Sequence, residues 1–185
     1  RSLLHAAFTG ALTGEEIGED GLPVGWTKAA LGEVADIVSG STPKTSVEDH
    51  WGGHIQWLTP DDLSSNKSKV VDGGKRTLTQ KGYDSCSTRL VPKGTVLFTS
   101  RAPIGYVAIA GGEICTNQGF KSVVPGPNLT SDYLYWHLQE RTPDIRSRAS
   151  GTTFLEISGK RMGATVVVLP PLPEQHRIVE ILEEQ

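Results

Sequence analysis

The residues from Val166 to Gln185 constrain this chain more than any other stretch. A β-branched run, Val166-Val167-Val168-Leu169, meets Pro170-Pro171-Leu172-Pro173, and a helical pattern then opens at Glu174-Gln175-His176-Arg177-Ile178. Proline has no N–H and a locked φ, so it is excluded from a central strand or a helix interior yet suits a helix start. The tail therefore predicts a strand, a rigid exit and the first turns of a helix. Ile178, Ile181 and Leu182 follow i, i+3, i+4 spacing and give that helix one apolar stripe. At the other end Leu4, Phe8 and Leu12 recur every fourth residue until Gly14 closes the pattern. Apolar stripes left in water cost about 25 cal/mol per Å². We therefore expect the two helical stubs to pack as an antiparallel pair, Leu4, Phe8 and Leu12 against Leu172, Ile178, Ile181 or Leu182.

Between the stubs, strands and helices come in runs without regular βαβ alternation, which predicts an α+β domain with a mixed, mostly antiparallel sheet. Ile37 to Gly40 ends an early strand, and His54 to Leu58 and Gly94 to Thr99 read as strands. Gly105–Ala110 and Glu113–Thr116 flank Gly111-Gly112 as an expected hairpin, since paired glycines tolerate primed turns. Phe120 to Val124 continues the sheet. Thr77 to Asp84 and Glu156 to Met162 are expected short helices, and Ser131 or Asp132 is expected to cap a helix through Leu138 that Pro143 interrupts.

At 185 residues and 37% hydrophobic, the chain has the length for one core. Its net charge of -3 argues against coating nucleic acid by charge alone. The charge is uneven, however: Thr59 to Lys121 holds nine Lys/Arg and five Asp/Glu, a surplus of four positive charges, while Glu15–Asp20 and Glu174–Gln185 are acidic. A basic middle with acidic ends suits a domain with one face to DNA, though ordinary surface variation gives the same count. Two cysteines, Cys86 and Cys115, with no signal peptide and no long apolar run, point to unbridged thiols in a reduced, soluble, cytoplasmic setting without a membrane partner. The chain begins at Arg1 and not at Met, which fits a piece of something longer. His50 and His54 bracket two glycines and have no third ligand nearby, so no metal site is expected.

Reading a duplex takes cations and amides for phosphates and forked side chains for base edges. Three polar loops supply both. In Thr99-Ser100-Arg101-Ala102-Pro103-Ile104-Gly105, Ser100 and Arg101 follow a strand, and the arginine suits either a phosphate or a guanine. In Thr116-Asn117-Gln118-Gly119-Phe120-Lys121, the amides of Asn117 and Gln118 match adenine or, equally, brace their own turn, with Lys121 beside them. The loop Gly40-Ser41-Thr42-Pro43-Lys44-Thr45-Ser46 offers Ser41, Thr42, Lys44 and Thr45 as a variable reader, against the plainer reading of a solvated connector. Arg101 and Lys44 are expected to share one electropositive face with Asn117, Gln118 or Lys121. Trp26, Trp57, Tyr133 and Trp136 sit among apolar neighbours and read as packing. Asp61-Asp62 after Pro60 reads as a helix start and not a catalytic carboxylate pair.

Six motifs run in one order along nearly the whole chain. They are Gly21-Leu22-Pro23-Val24-Gly25-Trp26; Trp57-Leu58-Thr59-Pro60-Asp61-Asp62-Leu63; Ser100-Arg101-Ala102-Pro103-Ile104-Gly105; Thr116-Asn117-Gln118-Gly119-Phe120-Lys121; Ser150-Gly151-Thr152-Thr153-Phe154; and Pro170-Pro171-Leu172-Pro173-Glu174-Gln175. In this order they resemble the specificity subunit of type I restriction-modification systems. The resemblance implies one target-recognition domain over 22–170, flanked by the end of one conserved spacer helix over 1–14 and the start of the next over 171–185. It implies a non-catalytic protein without a cofactor that binds double-stranded DNA and modification (methyltransferase) subunits, and restriction subunits through them. A half-size subunit acting as a homodimer is the alternative within the family, and a carbohydrate-binding or other interaction module the alternative outside it. A nuclease lacks its carboxylate–lysine cluster here, since Cys115 stands where Glu113 would want a lysine two residues on. A methyltransferase lacks its glycine-rich cofactor loop and its base-flipping motif.

Overall fold

The computed structural model describes residues 2–185. Its first half contains α1 (Leu3–Ala7), β1 (Thr27–Ala30), α2 (Leu31–Val34), β2 (Ala35–Ser39), β3 (Trp51–Leu58), α3 (Pro60–Ser64), β4 (Val70–Val71) and β5 (Arg76–Leu78). There follow α4 (Gln80–Asp84), β6 (Val96–Phe98), β7 (Val107–Ala110), β8 (Cys115–Thr116), β9 (Lys121–Pro125), α5 (Ser131–Ser147), α6 (Gly159–Gly163), β10 (Val166–Leu169) and α7 (Leu172–Glu183). Five strands lie side by side in the order β2-β9-β6-β7-β4, three in the order β5-β3-β8, and β1 pairs with β10 alone. All pairs are antiparallel except β4 with β7 and β3 with β8. This is the mixed, mostly antiparallel α+β architecture expected.

Central β6 shows why the sheet sits where it does. Its three residues are fully buried, but successive side chains point to opposite faces. Val96 and Phe98 enter a core shared with α5 and α7, while Leu97 enters a second core with Leu58, Leu63, Ile114 and Phe120. A third, small cluster of Ile55, Trp57, Leu78 and Cys115 fills the three-stranded sheet. Both cysteines are free, and burial pushes the Cys115 thiol, which donates to the Gln56 carbonyl at 3.4 Å, up to about 11.

Several local expectations give way to tertiary packing. Gly111-Gly112 closes no hairpin: Gly111 N–H donates to the Val71 carbonyl at 2.8 Å, and Ile114 exchanges hydrogen bonds with Val91 at 2.8 and 3.2 Å. The chain after the glycines thus leaves β7 and joins β3 in parallel, Cys115 opposite Trp57. Paired glycines permit a tight turn without demanding one. The helix after Thr130 runs on through Pro143 to Ser147, because Ile145 beyond the proline is fully buried and holds the last turn. Its cap is Thr130, whose hydroxyl accepts the Tyr133 N–H at 3.3 Å, while the Ser131 hydroxyl donates to the Gly94 carbonyl at 2.6 Å. The segment 77–84 divides at Thr79 into β5 and α4, and the helix expected from Glu156 starts only at Gly159, after the Ser158 cap.

The two ends meet, in altered form. α1 stops at Ala7, since Gly10 takes a left-handed φ of 80° and Thr9 turns its hydroxyl back to the His5 and Ala6 carbonyls at 3.2 and 3.3 Å. Leu12 therefore lies outside the helix. Phe8, Ile178 and Leu182 share one buried cluster, with Leu4 and Leu12 packed against it. Ile181 is only half-buried and Leu172 is exposed; Val179 takes the inward place. The Phe8 ring stacks on His137 with centroids 4.3 Å apart. α7 is fastened further by Gln175, fully buried, whose Oε1 accepts the Thr130 N–H at 3.0 Å. Its Nε2 donates to the Asn128 and Pro170 carbonyls at 2.9 and 3.0 Å. Lys69 ties the same helix to α5 by pairing with Asp132 at 2.6 Å and with Glu183.

Candidate nucleic-acid interface

The three polar loops converge through backbone contacts that only small residues allow. Ser41 N–H donates to the Thr116 carbonyl at 3.0 Å, and the Trp57 indole donates to the Ser41 carbonyl at 3.1 Å. At Gly40 a Cβ would fall on the carbonyl oxygens of Thr116 and Asn117, so only glycine permits this approach. The Thr42 hydroxyl then donates to Gln118 Oε1 at 2.5 Å. Gly119 makes the next join: its carbonyl accepts the N–H groups of Ser100 and Arg101 at 2.8 and 3.4 Å. A Cβ there would lie 2.8 Å from both the Arg101 carbonyl and the Pro60 ring. Arg101, Gln118 and Gly119 line a cleft of 280 Å³ with Thr59, Pro60 and Asp61 at the start of α3.

Not every expected reader reaches this surface. Ser100 is fully buried and Lys121 is buried, so neither stands free to enter a groove, contrary to expectation. Ser100 follows β6 and Lys121 opens β9, and both are drawn into the core where the preceding residues, Thr99 and Phe120, form an antiparallel bridge. Lys121 Nζ lies 3.7 Å from Glu156 and 3.5 Å from the Ser100 hydroxyl. Burial pushes its ammonium below the ordinary lysine range, opposed by the Glu156 charge. Arg101 is part-exposed, with Nε 3.5 Å from the same carboxylate and its guanidinium 5.1 Å from the Phe154 ring. Asn117 Oδ1 accepts the Gly119 N–H at 2.8 Å, which is the turn-bracing alternative. Ser41 and Thr42 are half-buried, while Lys44, Thr45 and Gln118 are exposed.

Sequence reasoning assigned no role to the tip of the Ser150–Phe154 motif, where Phe154 and Leu155 stand 46% and 53% exposed beside Arg101. Its signal was a bulky apolar pair after a hydroxyl-rich stretch. The basic middle also changes meaning. Of its nine cations, Lys69, Lys75, Lys81, Arg89, Arg101 and Lys121 are ion-paired, five of them with acids outside the middle. Asp61 is held below the usual carboxylate range by its hydrogen bond to Lys75, and Asp62 Oδ2 accepts the Thr59 N–H at 2.8 Å, so this pair serves the helix start. His50 is buried and His54 exposed, and the described residues contain no group of three or more ligands able to hold a metal ion. Trp26, Trp57 and Tyr133 are buried, as packing requires; Trp136 is half-buried, its indole 3.4 Å from Glu183. No helix among the described residues is long and apolar enough to cross a membrane.

A family model described as the type I restriction modification DNA specificity domain matches residues 23–184. The chain belongs to this family. The specificity domain is 37% identical over 163 residues to the type I restriction enzyme MjaIX specificity subunit of Methanocaldococcus jannaschii, covering 87% of this chain and 38% of that protein. Among solved structures it matches, at 26% identity and a TM-score of 0.73, a chain from work on complex assembly and conformational transition of the type I R-M system, covering 98% of this chain and 43% of that one. It has the fold of the HsdS subunit from Thermoanaerobacter tengcongensis, with a TM-score of 0.71 at 24% identity over 98% of this chain and 42% of that one. The specificity domain thus spans about two fifths of the length of these relatives.

Proposed function

We propose that this chain reads one half of a split DNA site in a type I restriction-modification complex and places the methyltransferase subunits there. Residues 22–170 are the target-recognition part, and 1–14 and 171–185 belong to the flanking conserved helices. The observation that carries this reading is the join of three polar loops, through Gly40, Thr42–Gln118 and Gly119, beside a cleft in a chain of this family. Within it Thr42, Lys44, Thr45, Arg101 and Gln118 are the groups that face DNA. Ser41, Asn117, Ser100 and Lys121 hold the loops in place. The apolar residues of the two ends, Phe8, Ile178 and Leu182 among them, set the angle at which the flanking helices meet the methyltransferase. Restriction subunits join through it, in the cytoplasm.

The protein has no chemistry of its own in this reading. Incubated alone with DNA, Mg²⁺ and S-adenosylmethionine, the pure chain is expected to neither cut nor methylate. Turnover that disappears in Asp61→Ala would overturn the assignment. Binding is tested by comparing Arg101→Ala with the parent on cognate and scrambled duplexes over a salt series. A lost base contact costs about 1–3 kcal/mol and relaxes choice at one position. A lost phosphate contact weakens all duplexes alike and lowers the salt slope by about one. Unchanged affinity on every duplex would remove Arg101 from the interface.

A further inference from the structure

Arg76 stands apart from every other described arginine. Each of the others has a carboxylate within 4.0 Å or donates to a backbone carbonyl. The Arg76 side chain makes no hydrogen bond or ion pair among the described residues, although its neighbour Lys75 is held by Asp61 at 2.9 Å. Its guanidinium instead lies 3.5 Å from the centroid of the Trp51 ring. The side chain is exposed, and the indole face beneath its Cζ limits the freedom of the guanidinium.

The support beneath that stack is rigid. Arg76 sits in β5 directly opposite Trp57 in β3, so both project from one face of the three-stranded sheet. Trp51 meets Trp57 edge-on with centroids 5.1 Å apart, and Trp57 is buried. The two indole N–H groups hold the adjoining loop: Trp51 donates to the Lys44 carbonyl at 3.2 Å and Trp57 to the Ser41 carbonyl at 3.1 Å. The stack is therefore continuous with the loop that carries Thr42 and Lys44.

From this geometry we infer that Arg76, stacked on Trp51, is a specificity-determining residue that forks onto the major-groove edge of a guanine. The inference rests on the DNA-reading function proposed above and names one contact within it. Guanine offers two adjacent acceptors, N7 and O6, which match two parallel N–H donors of a guanidinium. A phosphate also takes a guanidinium in bidentate fashion, but its oxygens lie around a tetrahedron and tolerate several fork orientations, whereas a base edge offers its acceptors in one plane. A planar donor set on a sheet face, stacked and unpaired, is organised for the more demanding partner, and it has little rotamer freedom left to lose on binding.

The experiment selects duplexes from a randomised pool at low salt with the parent chain, Arg76→Ala, Arg76→Lys and Trp51→Phe, and then measures affinities for the selected sequence and its single-position variants. The parent is expected to prefer guanine at one position by about 5- to 150-fold. Arg76→Ala and Arg76→Lys lose that preference and leave other positions unchanged, and Arg76→Lys keeps the parent's salt slope. Trp51→Phe keeps an aromatic face and retains most of the preference. Thermal unfolding midpoints equal to the parent's show that the three substitutions leave the fold intact. If the variants select the same sequences as the parent, or if Arg76→Ala weakens all duplexes uniformly, this inference falls while the DNA-reading function stands. A parent that prefers no sequence overturns both.

Discussion

Replacing Gln175 with leucine is expected to destabilise the chain by about 3 kcal/mol or more, although the two side chains are similar in size. The amide is fully buried and satisfies three backbone groups at once: the Thr130 N–H and the carbonyls of Asn128 and Pro170. Leucine offers none of these bonds. Each buried group left without a partner costs about 1–3 kcal/mol, and the hydrophobic gain of one isobutyl group does not offset three of them. In a chain of this size that loss lowers the thermal midpoint by roughly 6–12 °C. Gln175→Glu is expected to fare no better, because a carboxylate oxygen then faces the carbonyls that the amide N–H groups had served. Urea unfolding followed by circular dichroism checks both variants. A loss below about 1 kcal/mol would show that water or a neighbouring group takes over the orphaned partners.

Gly40→Val is expected to lower stability by at least about 3 kcal/mol and to part the loop that follows β2 from the turn at Asn117-Gln118. The obstruction is backbone on both sides, since the added Cβ would meet the carbonyl oxygens of Thr116 and Asn117. Flexible side chains yield at modest cost, but two paired carbonyls move only if the Ser41 to Thr116 hydrogen bond breaks. With it goes the Thr42 contact to Gln118, so selectivity among duplexes should fall along with stability. Gly112→Ala provides the control. No atom lies within 4 Å of a Cβ at Gly112, and stability there should change by no more than about 0.5 kcal/mol. If Gly40→Val unfolds at the same urea concentration as the parent, the close approach does not constrain the loop.

Much of this was legible from short patterns. The proline run before α7, the β-branched β10 and the strands around Ile37, Trp57 and Leu97 are governed by local sterics and apolar periodicity, and they form as expected. So do the buried tryptophans Trp26 and Trp57. Illegible were the features that depend on which distant element claims a segment. Nothing local tells Cys115 to lie beside Trp57 instead of folding back on β7, or tells Ile145 that a core waits beyond Pro143. The candidate interface divides in the same way. The loops were recognised by their hydroxyls, amides and cations, and the structure brings them together. Whether a cation is available, however, depends on its partner: Arg101 and Lys121 are met by Glu156 from a later loop, whereas Arg76, plain in the sequence, is left uncommitted.

The meeting of Phe8 with Ile178 and Leu182 bears on how such a module changes over time. The two ends of the body are anchored side by side in one core, while the loops around Gly40 and Gln118 rest on the separate clusters that contain Val38, Phe120 and Trp57. Neighbouring anchors make the whole body a closed insertion between two fixed points, and closure of a longer or shorter insertion differs by only a fraction of a kcal/mol. The body between those anchors can then be exchanged as a cassette if the side chains it contributes to the shared core, Val96, Phe98 and Tyr133 among them, are kept or matched. A new body with the same seam residues inherits the old attachment and brings a different set of loops, so the DNA preference proposed above can be replaced while the two ends that hold the body stay the same.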